Sequence, residues 1–233
     1  MNAKSTNIPY IVCHMVESID GRIDCAMVDQ IGGDEYYSTL KQLACPSWLN
    51  GRVTMAHYNA EPVPFTPKNP APAGAPSFFV AERAEGYAVS VDTRGTLIWP
   101  ANRIDGQPLV CIVSEQASKD YLDDLRKKNI SWIAVGREKI DLATAMEMLG
   151  KEFGVKRLAL LGGGLINGGF LAAGLIDEVS LLLSPGIDGR QGRVALFDGL
   201  PDIPRAPFHL TLTHAEQIPN GTMWLRYLVN RMP

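Results

Sequence analysis

The chain has 233 residues, of which 46% are hydrophobic, so it is long and apolar enough to bury the core of one large α/β domain. Its 22 Lys and Arg residues are outnumbered by 25 Asp and Glu residues, which excludes the basic excess of a nucleic-acid-binding protein. No apolar stretch is long enough for a membrane span, no signal peptide is recognisable, and the four cysteines form no CxxC pair. We therefore expect a cytoplasmic protein that contacts neither nucleic acid nor membranes and has no metal site.

The first part of the chain alternates apolar runs with turn signals. An apolar run at 10–16 predicts the first strand, which ends before the turn signal Asp20-Gly21. We expect a helix at 34–44 and a second strand at 48–56. The segment 61–76 contains six prolines, and each proline fixes φ and removes a hydrogen-bond donor. This segment is therefore predicted to be an irregular surface loop or an arm.

Strand and helix patterns continue to alternate in the rest of the chain. Strands are predicted at 78–81, 88–91, 109–113, 130–135, 157–161 and 178–183, and helices at 117–128, 141–153 and 164–173. Two longer strands, 208–217 and 222–229, flank Asn220-Gly221, which is a strong hairpin signal. The pattern predicts a three-layer α/β/α fold, with a mixed, mostly parallel sheet and a C-terminal antiparallel hairpin.

The strongest chemical signal is an apolar strand that leads into Gly162-Gly163-Gly164 and then into a helix. Consecutive glycines let the backbone approach a ligand closely, and the amino end of a helix attracts phosphate. A tight turn without a ligand is the simpler alternative. The Rossmann fingerprint is incomplete, because Asn167 stands at its third glycine position and no acidic residue follows about 20 positions on. A classical NAD dehydrogenase is therefore disfavoured.

Other segments could bind the remainder of a dinucleotide. Arg94 follows the strand at 88–91 within the turn Asp92-Thr-Arg-Gly, and an arginine there can form charge-assisted hydrogen bonds to a phosphate monoester. Together with Ser114, it is a candidate for the adenosine 2′-phosphate of NADPH. Taken by itself, the segment is more simply explained as an ordinary turn with a solvated arginine. The Thr54 hydroxyl, expected at a strand end, is a candidate cofactor contact or an ordinary strand residue.

Polar residues after the first strand are candidates for substrate binding. Ligands of open α/β sheets lie beyond the carboxyl ends of strands, so Asp20 and Arg22 could bind a polar substrate there. A plain turn is the alternative. Glu178 opens a strongly apolar strand and is either a solvated charge at a strand start or a buried acid.

In order along the chain, these segments resemble the pyrimidine reductases of riboflavin biosynthesis, which share the dihydrofolate-reductase-like fold. The matching blocks cover nearly the whole chain and lie at 18–22, 51–54, 89–95, 162–167 and 175–189. The last two are the most specific. The resemblance implies a stand-alone reductase domain over residues 1–233, without the zinc deaminase domain of bifunctional members, and a homodimer.

The resemblance also implies the reaction and the role of each residue. NADPH would reduce the ribosyl C1 of 5-amino-6-(5-phosphoribosylamino)uracil or of its diaminopyrimidine analogue. Ser18 and Arg22 would bind this small-molecule substrate, and either Asp20 or Glu178 would supply a proton. The residues implied to bind the cofactor are Thr54, Asp92, Arg94, Ser114, Gly162, Gly163, Gly164, Leu165, Ile166 and Asn167.

Departures from the family pattern fall in the segments that contact substrate. The usual Asp-Gly-Lys reads Asp20-Gly21-Arg22, which keeps the charge but changes its geometry. The Asp-Pro-x-Leu segment usual after Thr54 is also missing. Two alternatives therefore stay open. One is a reductase of the same fold that acts on a different pyrimidine, pterin or imine, and the other is a module that binds NADPH without catalysis.

Overall fold

The computed structural model describes residues 6–200 and 206–230. The described residues form helices and strands in the following chain order: β1 (Tyr10–Glu17), α1 (Cys25–Ile31), α2 (Glu35–Gln42), β2 (Ser47–Gly51), α3 (Arg52–Tyr58), β3 (Ser77–Phe79), β4 (Ala88–Val91), β5 (Arg103–Ile104), β6 (Gln107–Val113), α4 (Lys119–Lys127), β7 (Ser131–Ala134), α5 (Leu142–Phe153), β8 (Arg157–Leu160), α6 (Gly164–Ala172), β9 (Glu178–Leu183), β10 (Leu210–Gln217) and β11 (Met223–Val229).

The chain divides into two compact units. Within the described residues, the first unit contains 10–45, 159–200 and 206–230, and the second contains 6–9 and 46–158. The division falls inside β8. The expectation of a single domain over 1–233 stays a prediction.

The first unit is built on β1, β9, β11 and β10. Strand β1 pairs in parallel with β9, whereas β9–β11 and β11–β10 pair antiparallel. Val12, Leu182 and Trp224 point to one face of these strands and form a core with Tyr36 and Leu40 of α2. Helices α1 and α2 therefore pack against one face of this mixed set of strands.

The second unit is built on four parallel strands. β2 pairs with β4, β4 with β6, and β6 with β7, while β3 and β5 add antiparallel pairs. Fully buried Met55, Leu109 and Leu125 belong to its core, together with Tyr121 and Trp132. Because the strands are parallel, the segments that follow β4, β6 and β7 leave the same edge.

The pairing confirms the mixed, mostly parallel sheet and the closing antiparallel hairpin. The prediction of a strand at 48–56 is wrong beyond Gly51, because the chain turns there into α3. Val53 is exposed and Met55 is fully buried, so tertiary packing of Met55 overrides the strand preference of the β-branched residues. Thr54 consequently lies on a helix rather than at a strand end. Helix α1 was not predicted.

The Pro-rich segment 61–76 contains no helix or strand, as expected. It does not extend away as an arm. The backbone N–H of Phe65 donates to the Thr96 carbonyl at 2.7 Å, and that of Ala73 donates to the Ala117 carbonyl at 2.8 Å. The Phe65 ring also packs edge-on against Tyr121 with ring centroids 5.2 Å apart. The segment is therefore a loop held against its own unit.

Two glycines of the second unit allow a matched test of packing at the Asp92–Gly95 turn. Gly95 and Gly106 both have positive φ, but a Cβ at Gly95 would overlap the buried Tyr121 ring, whereas nothing lies within 4 Å at Gly106. Both changes to Ala should cost about 1–2 kcal/mol of backbone strain. Gly95→Ala should lose a further ~1–3 kcal/mol through overpacking. Urea unfolding of the two variants measures the difference, and equal stabilities would contradict the packing described for Tyr121.

Candidate functional site

The turn Ser18–Arg22 follows the carboxyl end of β1 and is organised around the Asp20 carboxylate. The Ser18 hydroxyl donates to Asp20 at 2.6 Å, and the backbone N–H groups of Asp188 and Gly189 donate to its two oxygens at 3.0 Å each. These bonds, with that from Ser18 the strongest, lower the pKa of Asp20 from 3.8 to about 2. Asp20 is therefore ionised at neutral pH and fixes the turn against the segment that follows β9, so it does not suit the predicted role of proton donor.

Arg22 lies on the same turn and contacts a different part of the first unit. Its guanidinium donates to the Arg193 carbonyl at 2.8 Å, and its backbone forms an isolated bridge with Ala195. Its Nε atom is buried and has no hydrogen-bond partner among the described residues, and it lies 3.9 Å from the Asp20 carboxylate. Arg22 is thus held beside Asp20 by the segment around 193–195.

Glu178 lies at the other end of the strands, which corrects the expectation that it shares a substrate site with Asp20. In the parallel register, Glu178 stands beside Val12, whereas Glu17, three residues before Asp20, stands beside Leu183. At about 3.3 Å per residue, Glu178 is roughly 16 Å from the carboxyl end of β9.

The Glu178 carboxylate also already accepts hydrogen bonds from other side chains of the protein. It is 4% exposed, accepts a hydrogen bond from Arg226 Nε at 2.6 Å and accepts another from the Tyr10 hydroxyl at 3.1 Å. This buried, paired carboxylate joins β9 to its neighbours, and its position does not support the predicted role of proton donor.

The glycine turn after β8 combines an open position with closely packed ones. Gly162 has φ +90°, and a Cβ there would come within 2.7 Å of the Met15 side chain. A Cβ at Gly164 would overlap the Ala195 carbonyl, and the Gly164 carbonyl accepts from Asp198 N–H at 3.0 Å. At Gly163, by contrast, nothing lies within 4 Å of the Cβ position. The turn therefore has open space at its centre, directly before α6.

The residues after the glycines differ in accessibility. Leu165 is 71% exposed and Ile166 is half-buried, so both remain candidates for a ligand surface. Asn167 is fully buried, and its amide donates to the Leu196 carbonyl at 2.9 Å. The Asn167 side chain therefore anchors the segment 194–198 to the first turn of α6, and its role in holding the cofactor stays a prediction.

In the second unit, two of the predicted cofactor residues organise a turn. Asp92 is 3% exposed, and its carboxylate accepts from the Leu97 N–H and the Thr96 hydroxyl at 3.0 Å. Ser114 is fully buried and donates to the Thr93 carbonyl at 2.7 Å. Neither side chain is free to face a ligand, so both position the turn that carries Arg94.

Arg94 itself is exposed and lines a cavity of about 380 Å³ with Gln116, Glu138 and Lys139. These residues follow the carboxyl ends of β4, β6 and β7, which are adjacent parallel strands. The Gln116 amide donates to the Arg137 carbonyl at 2.7 Å, which fixes its orientation. With two cationic side chains beside one acidic side chain, this cavity has the excess of positive charge that a phosphate subsite needs.

Gln116 and Lys139 were not identified from the sequence. The signal that could have found them is their position, because each follows the end of a predicted parallel strand. Thr54 is half-buried on α3, within the same unit as Arg94. Among the described residues, no group of three or more His, Cys, Asp and Glu side chains could hold a metal. No helix of the described chain has the length and hydropathy for a membrane span.

Comparison with known proteins identifies a protein family and a curated relative. The family model of the RibD C-terminal domain matches residues 9–224. The 2,5-diamino-6-ribosylamino-4(3H)-pyrimidinone 5′-phosphate reductase of Methanothermobacter thermautotrophicus is 36% identical over 95 residues, which are 41% of this chain and 43% of that protein. The matched part is therefore less than half the length of the relative.

Solved structures share the architecture over nearly the whole chain. A pyrimidine reductase-like protein of Corynebacterium diphtheriae has a TM-score of 0.72 at 17% identity, covering 96% of this chain and 93% of its own. The riboflavin biosynthesis reductase Rib7 of Saccharomyces cerevisiae has a TM-score of 0.61 at 15% identity, covering 98% and 93%. RibD of Acinetobacter baumannii scores 0.67 at 18% identity, covering 97% of this chain and 59% of its own. These likenesses confirm the predicted fold.

Proposed function

Because the chain belongs to the family of RibD C-terminal domains, we propose that it is an NADPH-dependent reductase acting on 5-amino-6-(5-phosphoribosylamino)uracil or its diaminopyrimidine analogue. The observation that carries this proposal is the open turn at Gly163, directly before α6. When bound, the reduced nicotinamide supplies the hydride that converts the ribosyl C1 to the ribityl form. The relative from Methanothermobacter thermautotrophicus bears the name of a reductase of this class, which supports the substrate.

In the first unit, the glycine turn fits the pyrophosphate of the cofactor. The space at Gly163 lets an anion approach the backbone, and the amino end of α6 adds partial positive charge. Met15 and Ala195 pack against the neighbouring glycines and hold the turn in place. Leu165 and Ile166 offer apolar surface on the first turn of the helix. A turn that is already held in one conformation binds an anion without the entropic cost of ordering a loop.

Also in the first unit, the polar turn Ser18–Arg22 fits the substrate. Asp20 is ionised and already bonded to two backbone N–H groups, so it holds the turn in one conformation. Arg22 supplies a positive charge beside it, which suits the phosphate of a phosphoribosyl group. In this assignment Asp20 and Ser18 order the turn, while Arg22 attracts the substrate phosphate.

The cavity at Arg94 supports NADPH rather than NADH as the cofactor. Arg94 and Lys139 are cationic and Gln116 adds an oriented amide, so the cavity suits the extra phosphate monoester of NADPH. Asp92 and Ser114 hold the turn that presents Arg94.

Cytoplasmic location and a homodimer complete the proposal. Cys13, Cys45 and Cys111 are free thiols in the described chain, which is consistent with a reducing compartment. The dimer is supported by one face of β9, β10 and β11, here called the open sheet face. The half-exposed or exposed side chains on it include Leu181, Leu183, Leu210, Leu212, Leu225 and Tyr227.

The open sheet face suits a second copy of the chain because it is uncharged. The charged residues of these strands, Glu178, Glu216 and Arg226, all lie on the opposite face, since they are in register with Leu228, Trp224 and Ser180. An apolar patch of this kind marks an interaction surface, and it meets its own copy across a two-fold axis without like-charge repulsion.

The pyrophosphate assignment is tested by two substitutions at Gly163, where an added Cβ would meet no atom within 4 Å apart from its chain neighbours. Gly163→Asp should abolish NADPH binding by bulk and charge repulsion. Gly163→Asn has nearly the same size without the charge and should weaken binding less. Fluorescence titration with NADPH measures both, with thermal unfolding as the control for folding. Wild-type affinity in a folded Gly163→Asp variant would contradict the assignment.

The cofactor preference is tested by Arg94→Ala and Lys139→Ala. Each should raise the KM for NADPH by about 10–100-fold, which corresponds to a charge-assisted bond of about 1.5–3 kcal/mol. The KM for NADH should be unchanged. Arg83→Ala, which removes an exposed arginine elsewhere in the second unit, is the control. If both variants keep the wild-type preference, the 2′-phosphate does not bind in this cavity.

The substrate is tested by turnover of purified protein with NADPH and the two ribosylaminopyrimidine phosphates, followed by loss of NADPH absorbance. We expect reduction of at least one of them and rescue of a riboflavin auxotroph that lacks this step. Turnover only of another pyrimidine, pterin or imine would favour a different substrate. Tight NADPH binding without any turnover would favour a binding module.

The dimer is tested by Leu212→Glu, which places a charge on the open sheet face at a side chain that is 53% exposed. Sedimentation should show a dimer for the wild type and a monomer for the variant, because burying an unpaired carboxylate costs several kcal/mol. Val63→Glu changes an aliphatic side chain of similar exposure, 59%, in the second unit and should remain dimeric. A monomeric wild type, or a dimeric Leu212→Glu, would exclude this surface.

A further inference from the structure

We propose that Glu17 is the acid that donates a proton during the reduction, an inference that rests on the reductase function proposed above. Glu17 is the last residue of β1 and directly precedes the turn Ser18–Arg22. It was not among the candidates that the sequence suggested. The two acids that were, Asp20 and Glu178, are occupied by the structural bonds described for them.

The position of Glu17 connects the glycine turn at 162–164 to the turn Ser18–Arg22, which is called the substrate turn here. Strand residues two apart point to the same face, so Glu17 and Met15 share one face of β1. Met15 is the side chain that packs against Gly162. A carboxylate oxygen of Glu17 lies 3.9 Å from the Cβ position of Gly21, within the substrate turn. The carboxyl group therefore lies where a hydride donor and a sugar would meet, if both bind as proposed.

The neighbouring elements present no ionic partner to this carboxyl group. In β9 the residue in register is Leu183. The glycine turn and α6 contain no charged residue. No hydrogen bond or ion pair of the described residues involves the Glu17 carboxylate. The group is half-buried, so it exchanges protons with solvent and remains partly shielded from it.

The nearby turns do carry charged groups, but these have other partners. Asp20 is bonded to Ser18 and to backbone N–H groups, and Arg22 donates to the Arg193 carbonyl. Asp188 is paired with Arg190. Burial without a compensating charge raises the pKa of Glu17 from 4.5 to about 7. A substantial fraction of Glu17 is therefore protonated at neutral pH, which a proton donor requires.

In the proposed step, protonation opens the ribosyl ring and hydride then reduces C1. Glu17 gives its proton to the ring oxygen of the ribosylamine, the bond between C1 and that oxygen breaks, and the nitrogen lone pair forms an iminium at C1. Hydride adds to C1, so the sugar carbon is reduced to the ribityl form while the nicotinamide is oxidised. The Glu17 carboxylate then takes a proton from solvent. Overall, one hydride and one proton are consumed.

The test compares wild type with Glu17→Gln, which keeps the size of the side chain and removes the acid. We expect kcat to fall at least about 100-fold, in the range typical of general acid catalysis, with the NADPH dissociation constant unchanged. In the wild type, kcat/KM should decline above about pH 7 as Glu17 loses its proton, and Glu17→Gln should lack this decline. Glu17→Asp should recover part of the activity together with the alkaline decline.

Glu85→Gln, which changes an exposed glutamate of the second unit, serves as the matched control and should leave kcat and its pH profile unaltered. If the wild type turns over and Glu17→Gln retains its rate and alkaline decline, Glu17 is not the donor, although the reductase function stands. If the wild type itself reduces neither ribosylaminopyrimidine phosphate, the proposed function fails, and the Glu17 assignment fails with it.

Discussion

Close backbone approach at the glycines around α6 is the constraint on which the first unit's candidate site depends. The segment 194–198 can lie against the helix only because Gly164 and Gly168 have no Cβ, since a Cβ at either would overlap a carbonyl of Ala195 or Asp198. The same segment also bonds to Arg22 and to Ile23, so it joins the glycine turn to the substrate turn. Most of the glycine requirement is therefore structural, whereas the Cβ position of Gly163 is open.

The acidic residues fall into two groups, according to whether protein groups already donate hydrogen bonds to the carboxylate. Asp20 and Asp92 each accept several hydrogen bonds and fix a turn, and Glu178 is paired with Arg226 in a buried position. Such bonds engage the carboxylate oxygens with protein donors, which makes these groups good anchors. Glu17 has no bond of this kind among the described residues. Catalytic potential in this site thus depends on an acid left without a partner.

The sequence was sufficient for elements with a strong local pattern and insufficient for relations between distant residues. Strand β9 and the hairpin at Asn220 were predicted because their apolar pattern and turn chemistry are local. The sequence placed Glu178 near Asp20 by family resemblance, and only the parallel register shows that it stands beside Val12. Thr54 was assigned to a strand because burial of Met55, which decides for a helix, cannot be seen locally.

The same distinction explains why the residues that line the Arg94 cavity were only partly found from the sequence. Arg94 was identified from its own turn, whereas Gln116 and Lys139 join it through the order of β4, β6 and β7. Parallel neighbours bring their following segments to one edge, so residues that are remote in sequence share a cavity. Glu138 also lines this cavity and opposes an anion, so the charge available for a phosphate depends on the excess of Arg94 and Lys139 over it. We propose that this small excess distinguishes NADPH from NADH, because the bond would be made to the phosphate by which the two cofactors differ.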